Sequence, residues 1–398
     1  MAVRKRRARR PETLHLNPES GHWLPDASQR QRHINAAVVV NIWRYWQATT
    51  DLEVHAVLGA EMVLEIARFW ASIATYDHSL DRYEIKGVMG PDEFHEGYPD
   101  REEPGLDNNA YTNVMAVWCL CRAFDVLEVL PGKRREELIE KLAISRDELD
   151  RWGEITHKMR LCFHDDGILS QFEGYGDLRE LDWDAYRERY GDIGRLDRIL
   201  EAEGDSPKHY KLAKQADTVM LFYVLSSEEL AELWDRLGYE RDPDFIRRNI
   251  EYYESRTSHG STLSIMVHAV AQPTGPPTLL GPVPFRARID INDVQGGTTR
   301  EGIHLGAMAG TVDLIQRCYG GIGTREDMLH INPSLPVGLR ELAFSISYRG
   351  QLVSLEISHE RARVRLADDH GRGAPVTSTS RVAQSELEPG GSLGMPID

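Results

Sequence analysis

The 398-residue sequence predicts a mainly α-helical body followed by a small β fragment. Two observations carry this. Up to about Met328, apolar residues recur at three- and four-residue steps in segments joined by short links. Beyond Met328 the pattern changes to alternation of apolar and polar residues, the signature of strands with one buried face.

Taken in order, residues 1–13 form a basic run that reads as a disordered tail. The segment "NAAVVVNIWRYWQATTD", from Asn35, is a helix apolar around most of its circumference. The next, "VHAVLGAEMVLEIARFWASIA", places Leu58, Met62, Ile66, Phe69 and Ile73 on one stripe. Only a short link holding Thr50 and Asp51 separates them, which predicts an antiparallel pair. A loop then leads to a long helix starting near Asn109. Ser145 with Glu148, and Ser226 with Glu229, are capping-box pairs that open two further helices. Residues 163–205 are polar and glycine-containing and read as a surface excursion, and "TTREGIHLGAMAGTVDLIQRCY" reads as the last helix. In the β fragment, "YRGQ" marks a hairpin turn. The predicted boundaries are 14–327 for the helical body, 328–369 for the β fragment and 370–398 for a disordered Gly/Ser/Thr/Pro-rich tail. Paired helices can close as a bundle, a solenoid or an α/α barrel, and no repeat chooses among them.

Composition narrows the function classes. A formal charge of -16 disfavours a nucleic-acid partner, whose phosphates would be repelled. No apolar run is long enough for a membrane span, and no secretory leader follows the basic start. Cys119, Cys121, Cys162 and Cys318 have neither metal-site nor disulfide-framework spacing, so no metal is expected and the cytoplasm is the expected location.

Chemistry concentrates in "KGVMGPDEFHEGYPD", residues 86–100. Asp92, Glu93, His95 and Glu96 sit between glycines and prolines that exclude a regular helix. Such a loop is either solvated or aims a carboxylic acid at a substrate, and Phe94 and Tyr98 are placed to exclude water and favour the protonated acid. Three other segments bear on the choice. "YKLAKQADTV" offers Lys214 and Gln215 as partners for hydroxyls. "RTSHGSTLSIMVHA" and "DVQGGTTREGIHLGAMAG" bring hydroxyls, glycines and His304 to helix starts, where backbone N–H groups can hold an anion such as phosphate. Each also has an ordinary reading, as a surface pair or as helix capping.

The motifs "GVMGPDEFHE", "DNNAYTNV", "KQAD", "HGSTLS" and "GGTTREGIHLGAMAGT" resemble glycoside hydrolase family 65, in order along residues 14–367. That family contains inverting phosphorylases of maltose, trehalose, kojibiose and related α-glucosides. The resemblance implies an (α/α)6 barrel followed by a small β-sandwich. It implies Glu93 as the general acid and Lys214 and Gln215 as the sugar-binding pair, with His95, Glu96, Asn108 and Asn109 around the acid and the sugar. It also implies Ser261, Thr262 and His304 as phosphate-binding positions, with Gly297 and Thr298 close by. No cofactor is expected beyond inorganic phosphate as co-substrate. The expected partners are a disaccharide and phosphate, and the resemblance favours a homodimer.

In that mechanism Glu93 protonates the glycosidic oxygen and phosphate enters from the opposite face, giving β-glucose 1-phosphate and glucose. Water in its place would make the chain an inverting α-glucosidase, with Glu301 the nearest spare carboxylate in sequence. The sequence departs from the family in two ways. It lacks the N-terminal β-sandwich, linker and first barrel helices that precede the matched region, so it reads as an N-terminally truncated, incomplete barrel. A non-catalytic chain that binds sugar or a partner is therefore a third reading. Residues 270–289, with five prolines, also stand where the family has a helix.

Overall fold

A computed structural model describes residues 14–54, 58–260, 263–264, 267, 305–325, 328–336, 338–367, 376–379 and 384–397. The proline-rich segment and residues 1–13 lie outside them. The body begins with a hairpin, β1 (Leu14–Leu16) and β2 (Trp23–Pro25), then α1 (Ile34–Thr49). Thr50, in the left-handed region at φ 52, ends α1, and a single turn α2 (Leu52–Val54) leads on to α3 (Ala60–Ile73). A short hairpin, β3 (Ala74–Asp77) and β4 (Arg82–Ile85), brings the chain to the acid loop.

The helix after that loop, α4 (Ala110–Val129), is the central one. Every residue from Ala110 to Leu120 is buried, because α1, α3, α6 (Arg146–Lys158), α9 (Asp217–Val224) and α10 (Ser227–Leu237) surround it. Between these run α5 (Gly132–Leu142), a short hairpin of β5 (Phe163–His164) and β6 (Ile168–Leu169), α7 (Trp183–Tyr190) and α8 (Leu196–Ala202). Next come α11 (Phe245–Glu254) and α12 (Leu305–Asp313). The Ser226–Glu229 capping box forms in full. At Ser145 only half of it does: Glu148 N–H donates to Ser145 Oγ at 3.1 Å, but the Glu148 carboxylate is drawn to Arg68 at 2.7 Å. An ion pair outcompetes a neutral backbone contact there.

The segment 163–205 corrects the expected surface excursion. Ile168, Phe172 and Tyr175 enter one buried cluster, and Leu181, Leu196 and Leu200 enter another, which the acid loop shares. Most of its charged residues face out, Ser170 and Gln171 are buried, and its few large apolar residues clamp the loop.

Two four-stranded sheets follow. One has the order β14-β11-β10-β9, comprising β9 (Glu341–Tyr348), β10 (Gln351–Ser358), β11 (Arg361–Leu366) and β14 (Ser392–Pro396). The other has the order β13-β12-β8-β7, comprising β7 (Ile322–Arg325), β8 (Met328–Ile331), β12 (Val376–Thr379) and β13 (Gln384–Leu387). Leu329, Ile331, Val353, Leu355, Ile357 and Val364 form their common core. The turn at Arg349 (φ 51) and Gly350 (φ 76) pairs Tyr348 with Gln351, a two-residue hairpin with both central residues left-handed. Two expectations are corrected here. The β region starts at Ile322 rather than 328. The tail beyond 370 carries three strands, whose short Ser/Thr/Gly-rich pieces are held by pairing to neighbours rather than by their own apolar content. No helix among the described residues is long and apolar enough to cross a membrane.

Candidate active site

The acid loop connects β4 to α4 and is fixed at both ends. Val88 and Leu106 exchange backbone hydrogen bonds of 3.0 and 2.7 Å. Gly90 N-terminal to the acids lies so close to Asp217 that a Cβ there would collide with its carboxylate. Pro91 O accepts from Gln215 Nε2 at 2.8 Å. Phe94 is buried beside Leu181, Ile193, Leu196, Leu200 and Leu212.

Glu93 stands out of this frame. Its backbone has φ 66, a left-handed conformation that costs a non-glycine residue about 1 kcal/mol or more. Its side chain is 45% exposed, and Oε2 pairs with Lys214 Nζ at 2.6 Å. The neighbouring Gln215 is held through its amide nitrogen, and among the described residues its buried Oε1 has no hydrogen-bond partner. Glu93 and Lys214 thus meet, with Gln215 tied to the same loop at Pro91, although more than a hundred residues separate the acid from the pair.

The remaining expected residues divide. His95 is 1% exposed, with Nδ1 on Asp92 Oδ2 at 2.7 Å and Nε2 facing Tyr210 O at 3.0 Å. Asn108 donates to Glu84 and Glu173 and accepts from Asn113. Asn109 caps α4 by accepting from Thr112 N and donates to Gln171 O and Asp217. All three are buried with their polar atoms engaged by the protein, so they build the frame around the acid. Ser261, Thr262, Gly297, Thr298 and His304 lie outside the described residues, as does Glu301. Gly260 itself is described: a Cβ there would strike the Gly194 carbonyl and lie 3.4 Å from Lys214 Cγ, so residue 260 packs beside the lysine.

The expected shielding by aromatics is also corrected. Phe94 turns into the core. The Tyr98 ring packs on Phe172 and Arg101, and its hydroxyl accepts from Asp107 N. The loop carboxyl displaced toward neutrality is Glu96: burial pushes it up to about 7, Asp26 and Asp197 add to the rise, and the Ala27 N–H opposes it. The folded protein therefore holds the Glu96 proton more tightly than the unfolded chain. Stability is expected to fall as pH rises from about 4.5 to about 7, by about 3 kcal/mol from this group. Glu96→Gln should remove that part of the slope, read from urea midpoints at pH 5 and pH 8; an unchanged slope contradicts it.

Two residues to which the sequence assigned no role of their own complete the frame. Asp217 accepts from Asp92 N at 2.6 Å and from Asn109 Nδ2 at 2.5 Å. Burial raises its pKa well above the usual range and the Asp92 charge adds to this, against the Asn109 and Asp92 N–H donors. Asp92 is 2% exposed. The signal for Asp217 was its place in "KQAD", two residues after Gln215. Among the described residues, no group of three or more His, Cys, Asp or Glu is arranged to hold a metal ion.

Comparison with known proteins fits this geometry. The family model for the glycosyl hydrolase family 65 central catalytic domain matches residues 6–313, and that for the family's C-terminal domain matches residues 322–378. An uncharacterized glycosyl hydrolase of Mycobacterium tuberculosis is 51% identical over 366 residues, covering 92% of this chain and 27% of that protein. Trehalose 6-phosphate phosphorylase of Lactococcus lactis is 38% identical over 356 residues (87% of this chain, 44% of that protein). Kojibiose phosphorylase of Halothermothrix orenii is 33% identical over 353 residues (85% and 41%). The chain thus spans less than half the length of these relatives. A solved structure titled as a putative kojibiose phosphorylase from human microbiome superposes with a TM-score of 0.70 at 19% identity, covering 92% of this chain and 49% of that one. That likeness shows the fold: helices of an (α/α)6 barrel followed by a β domain.

Proposed function

Because this chain belongs to glycosyl hydrolase family 65, we propose that it is an inverting phosphorylase acting on an α-glucosyl disaccharide. The observation that carries the reading is the ion pair of Glu93 with Lys214, next in the chain to Gln215, whose Oε1 has no hydrogen-bond partner among the described residues. Lys214 and Gln215 supply a donor and an acceptor for sugar hydroxyls. Glu93, in its protonated form, gives its proton to the glycosidic oxygen as that bond to the anomeric carbon breaks. Phosphate attacks the anomeric carbon from the opposite face, which yields β-glucose 1-phosphate and releases glucose or a substituted glucose.

Phosphate is already an anion and needs no base. Water would need a second carboxylate poised about 6.5–9.5 Å from the acid. Asp92 and Asp217 are the buried carboxylates nearest Glu93 in the frame, and the oxygens of both are already taken by protein donors. Glu96 faces Asp26 and Asp197. Among the described residues these arrangements favour phosphorolysis over hydrolysis; Glu301 lies outside them. The proposed partners are the disaccharide and inorganic phosphate, in a homodimer; the four free cysteines support a cytoplasmic setting.

Incubation with maltose, trehalose, trehalose 6-phosphate and kojibiose, each with and without phosphate, tests this. Glucose 1-phosphate formed only with phosphate is expected. Glucose released without phosphate would make the chain a hydrolase, and folded protein with neither product would make it a binding chain.

A further inference from the structure

We propose that Asp92 is a positioning residue that sets the separation between the proton donor Glu93 and the sugar-binding Lys214, an inference that rests on the phosphorolysis reading. Asp92 is the chain neighbour of Glu93, and its own N–H is tied to Asp217 Oδ1 at 2.6 Å. Its Oδ1 accepts from the backbone N–H of Lys214 at 2.7 Å, and its Oδ2 meets His95 Nδ1 at 2.7 Å. One carboxylate therefore holds the backbone on both sides of the Glu93–Lys214 pair. His95 is anchored in turn by Tyr210 O and by the rings of Phe172 and Tyr175, at centroid distances of 5.1 and 5.9 Å.

This arrangement accounts for the φ of 66 at Glu93. A strained residue persists only where its surroundings over-determine it. The loop is fixed before Glu93 at Pro91 and Asp92, and after it at Phe94 and His95. Both Asp92 oxygens are engaged inside the protein, so it acts through Glu93 and Lys214 rather than on the sugar.

Asp92→Ala removes both acceptors at once. Asp92→Asn keeps the shape: its Oδ1 can still accept from Lys214 N, and its amide can donate to a neutral His95 Nδ1. The experiment measures kcat and KM for wild type, both Asp92 variants and Glu93→Gln. Two substrates are used with phosphate: the best of the four disaccharides named above, and 4-nitrophenyl α-glucoside, whose leaving group departs without a proton. A crystal structure of Asp92→Ala accompanies the kinetics and reads the geometry without turnover.

Asp92→Ala is expected to lose about 100-fold in kcat on the disaccharide with little change in KM, as for a donor displaced by about 1 Å. Most of the loss should vanish on the aryl glucoside. Asp92→Asn should recover to within about tenfold of wild type. The crystal structure should show Lys214 Nζ out of hydrogen-bond reach of Glu93. Asp92→Ser serves the same comparison if Asp92→Ala does not fold. An Asp92→Ala loss equal on both substrates, or a crystal structure with the ion pair and the left-handed Glu93 intact, overturns the inference. Those results leave the proposed function standing provided Glu93→Gln is itself rescued on the aryl glucoside. A Glu93→Gln variant as active as wild type on the disaccharide would remove the proposed function instead.

Discussion

Glu93→Gln is expected to lower kcat on the disaccharide by about 10²–10⁴-fold while leaving sugar binding nearly unchanged. The amide has the size and shape of the carboxyl group but cannot supply an acidic proton. Its oxygen can still accept from Lys214 Nζ, which now lies 2.6 Å from Glu93 Oε2. Glutamine meets the same backbone requirement at φ 66, so the loop and the fold should be retained. Calorimetric titration with the disaccharide, beside steady-state rates, separates the two effects. Lost binding with the rate per bound complex preserved would place Glu93 in sugar recognition and not in proton transfer.

Phe94→Ala should have the largest effect on stability, about 3–5 kcal/mol, because it empties a buried aromatic site. The ring is 5% exposed and packs with Leu181, Leu196, Leu200 and Leu212, which come from the segment after the acid loop and from the approach to Lys214. It therefore pins the residue following Glu93. Turnover should fall along with stability, and at low temperature, where the variant remains folded, the loss should still exceed the unfolded fraction. Urea unfolding and rates at 10 °C check this. A stability loss under about 1 kcal/mol would mean that Phe94 is not part of a packed core.

The sequence made some of this legible and hid the rest for physical reasons. The helix α4 was readable because its apolar run and the Asn109 cap are both local; so was the turn at Arg349 and Gly350. The Ser145 capping box was half right, since no pattern at Ser145 could report the competing Arg68. Strands in 376–396 were hidden because Ser, Thr and Gly dominate them and their order comes from partners in β8 and β11. At the site, Glu93, Lys214 and Gln215 were singled out through motif resemblance; the structure pairs Glu93 with Lys214 and ties Gln215 to Pro91 of the same loop. The roles of Asp92 and Asp217 were not readable: their hydrogen bond joins residues 125 positions apart, and an isolated Asp in a loop looks the same whether solvated or buried. Phe94 was misread for the same reason, as a shield for the acid when it is a core residue of the loop's clamp.

The central claim is that one acid, Glu93, protonates the departing sugar while phosphate enters from the opposite face. Proton NMR of the first glucose 1-phosphate formed from an α-linked disaccharide tests it most directly. The account predicts the β anomer, formed only when phosphate is present. Formation of the α anomer would require a second carboxylate as a covalent nucleophile and would contradict it.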